Sequence, residues 1–329
     1  MADVRRAVRS SWDKYDVKEG QVISVACSGG ADSLALASAC IFEGKRAGIR
    51  VIAVIVNHNL QEGSDLVALK AKEQLIGLGY ELVEVLSVRV EKSSLGLEAD
   101  ARNARYEALE EFALKHNVRY TMLGHTLDDQ AETVLLGLAR GSGPKALSGM
   151  PLLSTDGKYL RPLLQIRRAE TVSYCKDTAL EFWSDPQNLD TKFSRVRARL
   201  NVLPLMEKEL GPGISEALAR TAEIIQEDLA YLDSQAAKQF VLVSRTSADS
   251  IVLDVALLAE LPKALSNRVI HKALAFAGAE PTKAQIDSVW DLTINWHGQK
   301  PLNLPSVRVE RKGKEIILFS TNPMKPGAS

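Results

Sequence analysis

Residues 22–40 read VISVAC, SGGADS, LALASAC, and no other stretch restricts the fold so tightly. Val22, Ile23, Val25 and Ala26 form a short apolar run with β-branched residues, as in a strand buried on both faces of a parallel sheet. Ser28, Gly29, Gly30, Ala31, Asp32 and Ser33 then supply small residues where the backbone turns sharply beside something bulky. Leu34, Leu36 and Ala37 open a helix. A strand, a glycine turn and a helix N-terminus in succession gather unpaired N–H groups and the positive end of the helix dipole around one small volume, which attracts an anion. Ser28 and Ser33 can add hydroxyl donors, and Asp32 sets a carboxylate beside a bound phosphate, a position that makes sense if Mg2+ bridges the two.

The turn has neither the closing Gly-Lys-Ser/Thr of a Walker loop nor the G-x-G-x-x-G of a dinucleotide fold. Downstream, strand patterns at 51–56, 80–88 and 120–123 alternate with helical patterns at 64–78, 98–116 and 127–138, after a leading helix over 2–16. That alternation predicts an α/β domain with a doubly wound parallel sheet, whose ligand sits beyond the carboxyl ends of the strands. The polar residues that follow each strand are therefore the site candidates.

Asn57-His58-Asn59 follows the second strand and reads either as a surface turn or as part of the site. In the third helix, Glu98 and Arg102 form an i,i+4 pair, while Arg102, Arg105 and Tyr106 share a face. Two guanidinium groups beside a phenol can be a solvated face or a bidentate phosphate grip, with Arg105 the first choice for the latter. After the fourth strand comes Gly124-His125, then Asp129 and Glu132 three residues apart at a helix N-terminus. Their carboxylates either complement the helix dipole or grip a magnesium ion or an ammonium group, and His125 can carry a proton or steady a phosphate.

The SGGADS turn resembles the S-G-G-x-D-S loop of the PP-loop ATP pyrophosphatases (adenine nucleotide α-hydrolase-like fold), which cleave ATP between the α- and β-phosphates and adenylate a carbonyl-type oxygen. Within that family the chain is similar to the lysidine-forming tRNA ligases. The matching pieces are E-A-x-A-R-x-x-R-Y (98–106), G-H-x-x-x-D-Q-x-E-T (124–133), R-G-S-G (140–143), R-P-L-L (161–164), D-P-x-N (185–188) and R-x-R-x-R before L-P (195–204). Two positions depart from the family's V-D-H-x-L-R segment: Asn57 replaces the aspartate and Gln61 the arginine. The resemblance implies adenylation of the wobble cytosine O2 of a tRNA(Ile) with a CAU anticodon, then attack by the ε-amine of L-lysine, giving lysidine, AMP and pyrophosphate. It implies that ATP lies against Ser28, Gly29, Gly30, Ala31, Asp32, Ser33, His58 and Gly124, with Mg2+ on Asp32. Asp32, Arg105 and His125 would be catalytic. Asp129, Glu132 and Arg197 would hold lysine, and Arg195 and Arg199 the tRNA.

Composition limits the partners. Lys plus Arg and Asp plus Glu both total 41, so any basic footprint for RNA is local. Between residues 158 and 199, nine Lys and Arg face five Asp and Glu, which reads as a tRNA-facing patch or as a solvated helix. The three cysteines, Cys27, Cys40 and Cys175, are widely spaced without a C-x-x-C pair, as expected in a reducing cytoplasm. No apolar run reaches transmembrane length and no hydrophobic signal core opens the chain.

Gly211-Pro212-Gly213 marks the expected boundary between a catalytic domain over 1–212 and a C-terminal part over 213–329. The latter reads as a long helical arm and a smaller, mainly helical tRNA-docking domain, with a strand at 251–255 and a closing hairpin at 306–319. A homodimer is left open. Two other functions compete. A PP-loop tRNA thiolase would want a reactive cysteine pair or a metal cluster, and a non-catalytic ATP-binding module would turn nothing over.

Overall fold

The computed structural model describes residues 1–58, 63–89, 96–141, 143–247 and 249–320. Asn59, Leu60, Gln61 and Ser142 fall outside them, as do the side chain of Glu98 and with it the Glu98–Arg102 pair. The chain forms two compact units, Met1–Gln226 and Glu227–Ser329. Their division falls inside a helix, beyond the Gly211-Pro212-Gly213 break.

In the first unit, α1 (Ala2–Lys14) precedes β1 (Val22–Ala26), α2 (Ala31–Ala47), β2 (Arg50–Asn57) and α3 (Ser64–Leu78). Then come β3 (Val83–Ser87), α4 (Leu97–Lys115), β4 (Tyr120–Met122), α5 (Leu127–Ala139), the single turn α6 (Pro144–Leu147) and β5 (Tyr159–Leu160). Helix α7 (Arg168–Asp177) is followed by α8 (Ser194–Arg197), a π turn (Ala198–Val202), α9 (Leu203–Leu210) and α10 (Ile214–Val243). The five strands run parallel in the order β3-β2-β1-β4-β5.

Strand alternation sorts the core into two faces. Ile23, Val25, Val51, Ala53 and Ile55 pack with Leu34 and Leu36 of α2, Leu75 of α3, and Tyr174 of α7. On the opposite face Ala26, Ile52 and Val54 meet Leu109 and Phe112 of α4. Helices therefore cover both faces, which is why β1 and β2 read as unbroken apolar runs rather than alternating ones. The hydroxyls of Ser24 on β1 and Thr121 on β4 pair at 2.8 Å, so neither is left unsatisfied in the core. The strand order reverses between β1 and its neighbours β2 and β4, and the loop after β1 opens at that switch point.

The second unit contains β6 (Ser244–Thr246), β7 (Ser250–Asp254), α11 (Val255–Glu260), α12 (Lys263–Phe276), α13 (Lys283–Ile294), β8 (Leu302–Leu304), β9 (Val307–Lys312) and β10 (Glu315–Ser320). Beside its helices it has a five-stranded antiparallel sheet, β6-β7-β10-β9-β8. The sequence gives away β7 and the β9–β10 hairpin, whereas β6 and β8, three residues each, are too short to show a period. Ile251, Leu253, Val309, Ile316 and Leu318 pack on Val269, Ile270, Leu274 and Val289 to form its core.

Candidate active site

The turn after β1 is shaped by its own small residues. Gly29 has φ +82°, a left-handed conformation that favours glycine, and a Cβ there would meet Ala71 of α3 at 3.4 Å. Ser33 Oγ donates to the Gly30 carbonyl at 2.9 Å and accepts the Ser28 N–H at 3.1 Å, closing the turn. Ser28 and Ser33 hydroxyls lie 3.3 Å apart. Helix α2 starts from Gly30 with no side chain capping it, so its first amides are left for a ligand. The Trp183 N–H donates to the Gly29 carbonyl at 2.9 Å and fixes the far side of the turn. Gly124 touches the same turn from below: a Cβ there would stand 3.1 Å from the Asp32 carbonyl carbon and 3.2 Å from its oxygen. Its missing side chain lets the end of β4 pack against the start of α2.

Asp32 accepts hydrogen bonds from the Thr171 hydroxyl and from Arg168 Nε, the latter at 3.2 Å. Burial raises its pKa, and Arg168 and Thr171 offset part of that rise. Arg168 continues to Asp129 Oδ1, 2.9 Å from Nη2, and to Glu132 Oε1, 3.7 Å from Nη1. One guanidinium on α7 thus bridges the carboxylate of the turn and the two carboxylates of α5.

Asp129 and Glu132 share a face of α5 and are both buried. Asp129 Oδ2 accepts the Thr126 N–H and hydroxyl, each at 2.9 Å, and so completes the capping box of α5. Its other oxygen faces Arg168, Arg195 and Arg199. One oxygen of this acid thus caps the helix, and the other faces three of the protein's own guanidinium groups. Burial would raise its pKa, but Arg168, Arg195 and the Thr126 N–H outweigh it and hold Asp129 at about 2. Glu132, with no solvent exposure, receives Arg195 Nε at 2.8 Å and both Arg199 Nε at 2.6 Å and Nη2 at 3.0 Å.

The second arginine group is thus arranged differently from the sequence expectation. Arg195 and Arg199, expected on the tRNA side, turn inward onto the acids. They are four residues apart in the continuous helical segment formed by α8 and the π turn Ala198–Val202, a spacing that puts both on one face. Arg197, expected beside the lysine acids, instead donates to the Thr191 and Lys192 carbonyls at 2.8 Å each. Neither Arg168 nor Thr171 stood out in the sequence. Their only local mark is the Arg167-Arg168 pair opening a helix, and their partner Asp32 lies more than 130 residues away in the chain.

His58 and His125 each lie within electrostatic reach of Arg105. Burial lowers the pKa of Arg105, with Arg102 adding to the effect, and among the described residues no carboxylate pairs with it. Burial first, then the neighbouring cations, keeps His58 low and takes His125 down to about 3. Both imidazoles are neutral near pH 7, and among the described residues the Nδ1 of each is buried without a partner. His125 therefore has hydrogen-bonding capacity to offer in its neutral form. At the end of β2, Asn57 donates its amide to Asp65 Oδ1 at 2.6 Å, so a carboxylate on α3 stands beside the strand end where the acid of the family segment is missing.

The cysteines are all buried and free. Burial raises Cys27 and Cys40 and pushes Cys175 up to about 12, which leaves no reactive thiolate pair.

The family model described as a PP-loop domain matches residues 3–206, and that described as a TilS substrate binding domain matches 253–313. The tRNA(Ile)-lysidine synthase of Leifsonia xyli is 49% identical over 300 residues, 91% of this chain and 90% of that protein. Those of Streptomyces coelicolor and Thermobifida fusca are 44% and 42% identical, over 90% and 97% of this chain and 85% and 96% of theirs. Among solved structures, the U34-tRNA thiolase NcsA of Methanococcus maripaludis superposes with a TM-score of 0.59 at 20% identity, over 69% of this chain and 79% of that one, a likeness of fold. Near-full-length identity at this level identifies the chain as a member of the tRNA(Ile)-lysidine synthase family.

Proposed function

We propose that the chain is an enzyme that uses ATP to join L-lysine to the wobble cytidine of a tRNA(Ile) with a CAU anticodon. The observation that carries this reading is 40% or greater identity to lysidine synthases along nearly the whole chain, with the phosphate cradle at the sheet's switch point. The uncapped amides of α2 and the hydroxyls of Ser28 and Ser33 receive the triphosphate. Arg105, which pairs with no carboxylate among the described residues, stabilises the charge that builds on the α-phosphorus and on departing pyrophosphate. His58 and His125 donate neutral N–H groups to the same anion.

The cytosine O2 attacks the α-phosphorus, and the bond to pyrophosphate breaks. The ring carbon bearing the adenylated oxygen is then attacked by the lysine ε-amine, AMP departs with the oxygen, and a proton is lost from nitrogen. AMP makes a good leaving group of an oxygen that is otherwise a poor one. Asp129 and Glu132 hold the lysine, with Arg195 and Arg199 keeping those carboxylates in position rather than reaching for RNA. The second unit, which matches the substrate-binding family model, docks the tRNA. No helix among the described residues is long and apolar enough to cross a membrane, and the enzyme works in the cytoplasm beside its tRNA.

Mg2+ suits this donor set in one way. Among the described residues no group of three or more His, Cys, Asp or Glu side chains could hold a metal by itself, so Asp32 would hold the ion together with the nucleotide's phosphates. When bound there, the ion neutralises charge on the phosphates.

Incubation with ATP, the tRNA and isotopically labelled lysine tests the reading. Labelled tRNA and pyrophosphate release that requires both tRNA and lysine are expected. Release without lysine would favour a thiolase, and no release an ATP-binding module. Asp32→Asn should abolish pyrophosphate release, while Glu132→Gln should raise the KM for lysine far more than that for ATP.

A further inference from the structure

Three carboxylates and three guanidinium groups meet between the nucleotide turn and α5. Asp32, Asp129 and Glu132 face Arg168, Arg195 and Arg199, all within 3.7 Å contacts. The two α5 acids thus face three guanidinium groups, one positive charge more than they carry negative, and the extra one, Arg168, is shared with Asp32. An incoming ammonium group therefore finds no unanswered negative charge, even though two buried acids lie ready. Arg195 and Arg199 contact only the α5 acids within this group, but Arg168 divides its N–H groups between Asp32 and the pair Asp129 and Glu132.

We propose that Arg168 is the residue through which nucleotide binding admits lysine: the triphosphate at the turn draws the Arg168 guanidinium to itself, and the charge released on Asp129 and Glu132 is taken up by the substrate's ammonium group. This rests on the lysine and ATP assignments made above and adds an order to them. Arg168 is suited to the exchange because it is partly exposed, 27% for the side chain, whereas Glu132 has no exposure at all. Its planar fork can exchange a carboxylate for a phosphate without losing its hydrogen bonds. Lysine then binds with higher affinity once the nucleotide is in place, and by linkage the nucleotide binds more tightly with lysine present, by the same factor. Arg168 acts through Asp129 and Glu132 on lysine and is in that respect a positioning residue.

The test is equilibrium binding of L-lysine to the full chain by calorimetry, with and without the α,β-methylene analogue of ATP and Mg2+, in wild type, Arg168→Gln and Arg168→Lys. In wild type the analogue should tighten lysine about tenfold. In Arg168→Gln lysine should bind more tightly than in nucleotide-free wild type, and the analogue should change its affinity less than about twofold. Arg168→Lys, which keeps the charge but not the fork, should recover part of the coupling. A purely structural role for Arg168 would instead weaken both ligands and leave the coupling ratio intact in whatever folds, which overturns the proposal. Wild type that binds lysine equally with and without the analogue also overturns it, while leaving the lysine site itself standing. Wild type that binds lysine in neither condition removes the lysine site and the proposal together.

Discussion

Arg199 holds Glu132 by a forked pair of hydrogen bonds, Nε to Oε1 at 2.6 Å and Nη2 to Oε2 at 3.0 Å, and the acid it holds has no contact with solvent. Losing one partner of a carboxylate so placed exposes the desolvation cost that the pair had offset. Arg199→Ala should destabilise the first unit by about 2–4 kcal/mol, with Arg195 limiting the damage. Arg199→Lys should recover less than half of that, because an ammonium group cannot reproduce the fork. Urea unfolding of the three proteins measures both.

Gly124 offers a more local test. Its Cβ position lies against backbone atoms of Asp32 and Ser33, which cannot step aside as the end of a flexible side chain would. Gly124→Ala should cost about 1–3 kcal/mol and displace the start of α2. ATP affinity should fall more than stability alone accounts for, which a nucleotide titration at a temperature where the variant is fully folded would show.

His125 sets a pH dependence. Its pKa is about 3 in the folded chain against an ordinary 6.5, so between those values the unfolded chain binds the proton and the folded one does not. The stability it contributes is complete above pH 6.5 and is lost as pH falls toward 3, by up to about 1.4 kcal/mol per pH unit. His125→Asn should flatten the unfolding free energy over that window. The wild-type His125 ring resonances should not titrate between pH 8 and 5 in an NMR series.

The buried cysteines give a chemical check on the thiolase alternative. Cys27, Cys40 and Cys175 should all resist iodoacetamide in the native protein and all react once it is unfolded, as read by intact mass. Rapid native labelling of any of them would reopen that reading.

What the sequence disclosed and what it hid follow chain distance. The turn from Ser28 to Ser33, the strand before it and α2 after it are contiguous, and their physics is visible in a window of twenty residues. The sheet was equally open to reading, because β1 and β2 are buried on both faces and say so in unbroken apolar runs. The salt-bridge cluster was not. Arg168 lies far along the chain from Asp32, and Arg195 and Arg199 are more than 60 residues from Glu132, so nothing in their neighbourhoods told a buried guanidinium from a solvated one. The i,i+4 spacing of Arg195 and Arg199 shows that they share a face, but not that the face turns toward α5. Strand β5, two residues long, and α7 with its mixed apolar and charged residues likewise escaped notice.

The Asn57 amide that donates to Asp65 bears on how such a chain can change over generations. An amide and an acid 2.6 Å apart are compatible; two acids there would repel, and two amides would lose the charge-assisted bond. Neither position adopts its partner's chemistry alone without cost, so an acid at the tip of β2 is best accommodated together with a change on α3.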